Sequence, residues 1–166
     1  MIFRCGGIAD SAIDGIGMSL DIFFQGCHRN CRGCHNPELQ DKNGGFDYNT
    51  DDIIKHLEKY PGFYQSIVLV GGEPLDQPNQ LYSLIKIAKM FNLYTILYTG
   101  NDYYHIYSDI RYNCDVIIDQ PYDEENKTNG FPASKNQWIY IRGEPVKMNN
   151  DYSRSLTEIF KECRPD

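Results

Sequence analysis

A short apolar run followed by a polar or amphipathic segment recurs along most of the chain. "LDIFF" (20–24), "SIVLV" (66–70), "LYTILYT" (93–99), "DVIID" (115–119) and "QWIYI" (137–141) are the apolar runs. Their shortness and their β-forming residues predict strands, and the near-continuous ones predict strands covered on both faces. Between them, "NTDDIIKHLEKY" (49–60) predicts a helix. Asn49 or Thr50 can cap it, Asp51 and Asp52 suit the positive end of its dipole, and Pro61-Gly62 stops it. In "NQLYSLIKIAKMF" (79–91), Leu81, Leu84, Ile85 and Ala88 fall on one helical face. "GNDYYHIYSDIR" predicts a loop with a short helix, and "SLTEIFKEC" (155–163) a last helix.

Strands alternating with helices predict an α/β fold with a parallel sheet, in which ligands bind at the carboxyl ends of the strands. Four turn-rich segments follow strands directly: a cysteine loop after 20–24, "GGEP" (71–74), "TGN" (99–101) and "DQP" (119–121). They should converge on one edge of the sheet, which is then the candidate site. No internal repeat, low-complexity tract or linker divides the chain, so its 166 residues are expected to form one domain, 1–166.

Composition changes this picture little. A hydrophobic share of 41% with 23% charged residues is that of a globular protein, and the net charge of −7 argues against a nucleic-acid partner. No apolar stretch reaches membrane-spanning length, and "MIFRCGGIAD" lacks the apolar core of a signal peptide. With clustered rather than scattered cysteines, a cytoplasmic location is expected.

The chemistry concentrates in "QGCHRNCRGCHN" (25–36), which holds half of the six cysteines. Cys27, Cys31 and Cys34 have the spacing C-x3-C-x2-C. Disulfides need an even count, and a closed zinc site needs a fourth donor, which His28 or His35 could supply. An iron–sulfur cluster held by three thiolates instead leaves one iron open to substrate. On the loop alone both readings stand. In "VGGEP" (70–74) two glycines allow close approach to the backbone, and Glu73 offers a carboxylate to a cationic amino group. Alone, the same segment reads equally as a strand-to-helix turn.

Together these two motifs resemble the radical S-adenosylmethionine superfamily, with C-x3-C-x2-C in the first loop and GGE after the second strand. "DGIGMSLDIFFQGCHRNCRGCHNPELQ" (14–40) looks like the opening of activating enzymes for glycyl-radical proteins. "YTG" (98–100), "CDVIIDQPY" (114–122) and "KNQWIYI" (135–141) are similar to the branch that activates anaerobic ribonucleoside-triphosphate reductase. The resemblance runs from residue 14 to about 141 and implies an open, partial parallel β/α barrel of the radical S-adenosylmethionine type. It implies that Cys27, Cys31 and Cys34 hold a [4Fe-4S] cluster whose open iron is chelated by the methionyl group of S-adenosylmethionine. Gly71, Gly72 and Glu73 would receive the amino group; Gly33, Cys34, His35, Thr99 and Asp119 would complete the cofactor site. One electron, from flavodoxin or a similar donor, would release a 5′-deoxyadenosyl radical that takes hydrogen from a glycine of the reductase. The chain departs from the family pattern at Ile16, Ser19, Asn101 and Gln120. The rival functions are activation of another glycyl-radical protein, modification of a small nucleoside by a member of the same superfamily, and a zinc-stabilised binding domain.

The remaining candidates have plainer readings. Cys5, Cys114 and Cys163 show no ligand spacing and are expected as small buried hydrophobes. His56 is expected to be solvated, His105 packed or on the surface, and the thirteen tyrosines to serve packing. Asp119 contacts the cofactor's ribose or caps a turn; Arg142 meets the cofactor's carboxylate or pairs with a surface acid. No strand is expected beyond 137–141, leaving a mouth around "GNDYY" (100–104) and "DQPYDEENKTNGF" (119–131) for the partner.

Overall fold

The computed structural model describes residues 1–163, so the last three positions of the expected domain lie outside the described residues. The strands are β1 (Ile2–Ser11), β2 (Ser19–Phe24), β3 (Phe46–Asn49), β4 (Ser66–Gly71), β5 (Tyr94–Tyr98), β6 (Val116–Ile118), β7 (Ile139–Ile141) and β8 (Glu144–Pro145). The helices are α1 (Thr50–Lys59), α2 (Pro78–Met90), α3 (Ser108–Arg111) and α4 (Leu156–Cys163). The strands form one sheet in the order β3-β1-β2-β4-β5-β6-β7-β8, which is open rather than closed on itself.

The sheet is mixed, not parallel throughout. β2, β4, β5 and β6 run parallel, whereas β1, β3, β7 and β8 add antiparallel edges. The physical reason lies in the connections: a parallel return needs a crossover of a dozen or more residues. The link from β1 to β2 is too short for one, and β7 turns into β8 through Arg142 and Gly143 alone. Both have positive φ (49° and 88°), the geometry of a two-residue hairpin turn. β8 also corrects the expectation that no strand lies beyond 137–141.

Each helix forms where its local signals predict. Asn49 caps α1 through its Oδ1, which accepts from the Asp51 N–H at 3.0 Å. Ile53 and Leu57 of α1, and Leu81, Leu84, Ile85 and Ala88 of α2, are buried against Leu20, Ile22, Phe24, Ile67, Leu69 and Leu97 on one face of the sheet. The opposite face carries Val68, Ile96, Val116 and Ile118, packed with Leu156, Ile159 and Phe160 of α4. Alternate residues of β4 thus enter different cores, which is why its sequence is apolar without a break. Among the described residues no helix is long and apolar enough to cross a membrane.

His56 is not simply solvated: its Nε2 lies 2.8 Å from the Tyr64 hydroxyl, which donates to Asp10 at 2.5 Å. Cys5 and Cys114 are buried as expected, and burial pushes both thiols up, Cys5 to about 11. Cys163, at the end of α4, is exposed instead.

β2 also buries a carboxyl. Asp21 is 1% exposed, takes a 2.6 Å hydrogen bond from the Ser19 hydroxyl, and lies against Asp14. Burial first, and then Asp14, push its pKa from 3.8 up to about 8. The folded protein therefore keeps a proton that the unfolded chain loses near its ordinary value, so this group makes stability fall as pH rises from about 4 to about 8. Asp21→Asn should remove that dependence. Its urea midpoint relative to the unchanged protein should rise between pH 5 and pH 8; parallel midpoints at both would contradict the assignment.

Candidate functional site

The carboxyl ends of β2, β4, β5 and β6 open into a cavity of about 540 Å³. All four segments expected at this edge reach it, through Cys27, Cys31 and Cys34, through Gly71 to Glu73, through Thr99 and Gly100, and through Gln120 and Pro121. His35 lines it too. Its apolar wall includes Phe23, Val68, Val70, Ile118 and Phe131.

The cysteine loop is held at its base by backbone bonds. The Gly26 N–H donates to the Leu39 carbonyl at 2.7 Å, the Cys27 N–H to the Gln40 carbonyl at 3.2 Å, and the Glu73 N–H to the Gly26 carbonyl at 2.8 Å. This last bond joins the two motifs directly. It also explains the glycines in a way the sequence does not suggest. A Cβ on Gly72 would collide with the Gly26 carbonyl, and one on Gly71, where φ is +117°, would lie 2.5 Å from the Phe24 nitrogen. The close approach that these glycines permit is already used by the chain's own backbone.

Glu73 is 1% exposed. Its Oε1 accepts from the Thr99 hydroxyl at 2.8 Å and from the Leu75 N–H at 3.0 Å; its Oε2 accepts from the Gly100 N–H at 2.8 Å. The Arg29 Nε lies 3.9 Å from Oε2. Burial raises the carboxyl's pKa, opposed by these hydrogen bonds and by Arg29. Thr99 is therefore a partner of Glu73 as well as part of the cavity wall.

The three cysteines are free, half-buried and on the same cavity. Burial is the leading cause that raises the thiols of Cys27 and Cys31, so metal binding there must displace protons. Among the described residues no three His, Cys, Asp or Glu side chains are gathered as on a single metal ion. Each thiolate of a multi-iron cluster binds a different iron, so three sulfurs around one cavity need not meet at a point; the donor set fits such a cluster. The two histidines that the zinc reading invokes both have neighbours in the structure. His28 Nδ1 is 2.8 Å from an Asp76 oxygen, and the His35 ring packs on Tyr122 with centroids 4.7 Å apart.

Other sequence candidates are placed differently. Asp119 accepts from the Tyr103 N–H at 2.9 Å and the Trp138 N–H at 3.1 Å, which clasps a strand end, and is not among the residues lining the cavity. Gly33, with φ +75°, also lies off the lining, packed beneath Glu124 and Tyr122. Arg142 pairs with Asp115 at 3.7 Å, at the opposite ends of the strands. His105 is exposed. Arg29 was not singled out by the sequence, and Asn101 only as a departure from the family pattern, yet Arg29 Nη2 donates to the Asn101 Oδ1 at 3.1 Å inside this site. The only sequence signal was Arg29's place between two of the cysteines.

Comparison with known proteins fits this geometry. A family model for the 4Fe-4S single cluster domain matches residues 13–140, most of the chain. The chain belongs to that family. The 4Fe-4S single cluster domain thus spans the cysteine loop, "GGEP" and the strand ends that meet them. Among the curated relatives, the pyruvate formate-lyase-activating enzyme of Clostridium pasteurianum is 29% identical over 110 residues, 64% of this chain and 46% of that one. The pyruvate formate-lyase 1-activating enzyme of Escherichia coli K12 is 29% identical over 92 residues, 53% and 37% of the two chains. The corresponding enzyme of Listeria monocytogenes EGD-e is 29% identical over 89 residues, 51% and 36%. The matches cover less than half the length of these relatives.

Gly72→Ala separates backbone packing from ligand approach. Because the added methyl meets the Gly26 carbonyl, the variant should lose about 1–3 kcal/mol of stability in metal-free protein, as overpacked positions do. Urea unfolding with no ligand present is the measurement, and unchanged stability would show that the glycine serves only a ligand.

Proposed function

We propose that this chain is a radical S-adenosylmethionine enzyme that generates a glycyl radical on a partner protein, and that the partner is an anaerobic (class III) ribonucleotide reductase. The observation that carries the reading is the meeting of three free thiols and the Gly71-Gly72-Glu73 segment on one cavity. A zinc-stabilised binding domain has no need of a buried carboxylate and a 540 Å³ cavity beside its thiols. The open sheet, with its parallel centre, supports the partial barrel of such enzymes.

In this reading Cys27, Cys31 and Cys34 hold a [4Fe-4S] cluster, and three ligands for four irons leave one iron for the cofactor. Gly71 and Gly72 present backbone to the cofactor's amino group, and the Glu73 carboxylate supplies the opposite charge. His35 and Thr99 flank the same space. With cluster and S-adenosylmethionine bound, the chemistry supplied there is one-electron cleavage of the sulfonium and hydrogen abstraction from a glycine Cα. Phe23, Val68, Val70, Ile118 and Phe131 keep water from that reaction. Flavodoxin or a similar donor provides the electron.

The substrate is a protein because the cavity opens beside loops that a glycine-bearing segment can cover. Tyr122, beside the loop's Glu124, lines the cavity, and Asp123, Glu124 and Glu125 offer charge to steer a basic partner. The "CDVIIDQPY" and "KNQWIYI" segments favour the reductase. The relatives' names make pyruvate formate-lyase the competing partner.

Two measurements test this. Cys27→Ala, Cys31→Ala or Cys34→Ala should each abolish cluster binding after anaerobic reconstitution, while Cys5→Ala and Cys163→Ala retain the iron content and visible absorbance. A Cys31→Ala protein with full iron would overturn the ligand set. The reduced, cofactor-loaded protein mixed with the anaerobic reductase of the same source should give a glycyl doublet by EPR that requires S-adenosylmethionine. A doublet on pyruvate formate-lyase and none on the reductase would leave the chemistry standing and reject the partner.

A further inference from the structure

Arg29 is the one cation within 4 Å of Glu73 among the described residues, and its geometry there is unfinished. Its Nη2 is bonded to Asn101, but its Nε is buried without a hydrogen-bond partner, 3.9 Å from the carboxylate oxygen. The side chain lies across Gly100, where a Cβ would come within 2.6 Å of that same Nε. The absence of a side chain at residue 100 thus makes room for the guanidinium. Glu73 meanwhile receives three well-formed hydrogen bonds from Thr99, Leu75 and Gly100, which leave one acceptor direction, the one Arg29 faces. A buried carboxylate needs a counter-charge, but a buried N–H left unbonded is costly, so this guanidinium is held in place and poorly satisfied at once.

We propose that Arg29 is a provisional counter-ion of Glu73, which a cationic amino group must displace in order to bind. The inference rests on the reading of Glu73 as the receiver of the cofactor's amino group and adds a residue that sets its affinity. Two cations cannot share the remaining acceptor direction, and like charges so close repel. Binding therefore selects the fraction of molecules in which Arg29 has swung off Glu73, and apparent affinity is reduced by that fraction. Arg29 follows Cys27 by two residues, and its backbone N–H lies 3.4 Å from the Cys27 Sγ. Ligation of Cys27 acts on the segment that carries Arg29, so loading the cluster and freeing Glu73 are coupled. Arg29 is a positioning residue in this account, not a catalytic one.

The test is the affinity of the anaerobically reconstituted protein for S-adenosylmethionine, with the stability of metal-free protein as a second readout. Arg29→Gln should bind the cofactor several-fold more tightly than the unchanged protein. Arg29→Lys, which keeps a cation, should stay closer to the original value. Arg32→Gln removes the same charge from an exposed position of the loop and should change nothing. In metal-free protein, Arg29→Gln and Glu73→Gln should be non-additive in urea midpoint, because each removes one half of a pair. Equal or weaker cofactor binding by Arg29→Gln, or additive midpoints, overturns the proposal. If neither the unchanged protein nor Arg29→Gln binds the cofactor, the displacement falls together with the cofactor assignment; if the unchanged protein binds and Arg29→Gln is no tighter, the Arg29 proposal falls alone.

Discussion

One buried carboxylate holds the functional edge of this molecule together. Glu73 follows β4 directly, and its two oxygens gather the hydroxyl of Thr99, the N–H of Gly100 and the N–H of Leu75. Those contacts fix the end of β5 against the end of β4. Its own N–H donates to the Gly26 carbonyl, which fixes the start of the cysteine loop to the same point. A carboxylate this deep is costly unless paired and hydrogen-bonded, and removing one partner of a buried pair typically costs about 3–5 kcal/mol. The chain meets that requirement with two backbone donors and the short side chain of Thr99, which cannot drift as long side chains do. Satisfying this one group ties the ends of β2, β4 and β5 to a single point.

The centre of the fold was legible because its signals are local. Asn49, Asp51 and Pro61-Gly62 bound α1 by capping and chain-breaking chemistry, and the uninterrupted apolar runs of β4 and β6 announce burial on both faces. The edges were not legible. β1 carries a register shift between Cys5 and Gly7, and its residues alternate poorly between buried and exposed. β3 and β8 are four and two residues long, too short to show a period. Together with β7 those strands turn a parallel sheet into a mixed one, and the placement of β1 and β3 depends on pairing partners distant in sequence. Local pattern cannot carry that information.

At the site, the spacing of Cys27, Cys31 and Cys34 and the "GGEP" turn were sufficient to bring the right segments to one cavity. What they could not show is how each residue is used. Gly71 and Gly72 read as room for a ligand, and in the structure their missing side chains also make room for Phe24 and Gly26. Asp119 read as a ribose contact or a cap, and in the structure its carboxylate accepts from the N–H groups of Tyr103 and Trp138. Arg29 carried no signal beyond its place between two cysteines, since an arginine in a polar loop usually points to solvent. Its significance comes from Asn101 and Gly100, some seventy residues later.

The account depends on an unequal count, three protein thiolates for four irons. Mössbauer spectroscopy of 57Fe-reconstituted protein, recorded with and without S-adenosylmethionine, tests it most directly. One iron of the four should change its signal when the cofactor is added, while the other three keep theirs. Four irons that all remain unchanged, or a protein that takes up zinc and no cluster, would contradict the account.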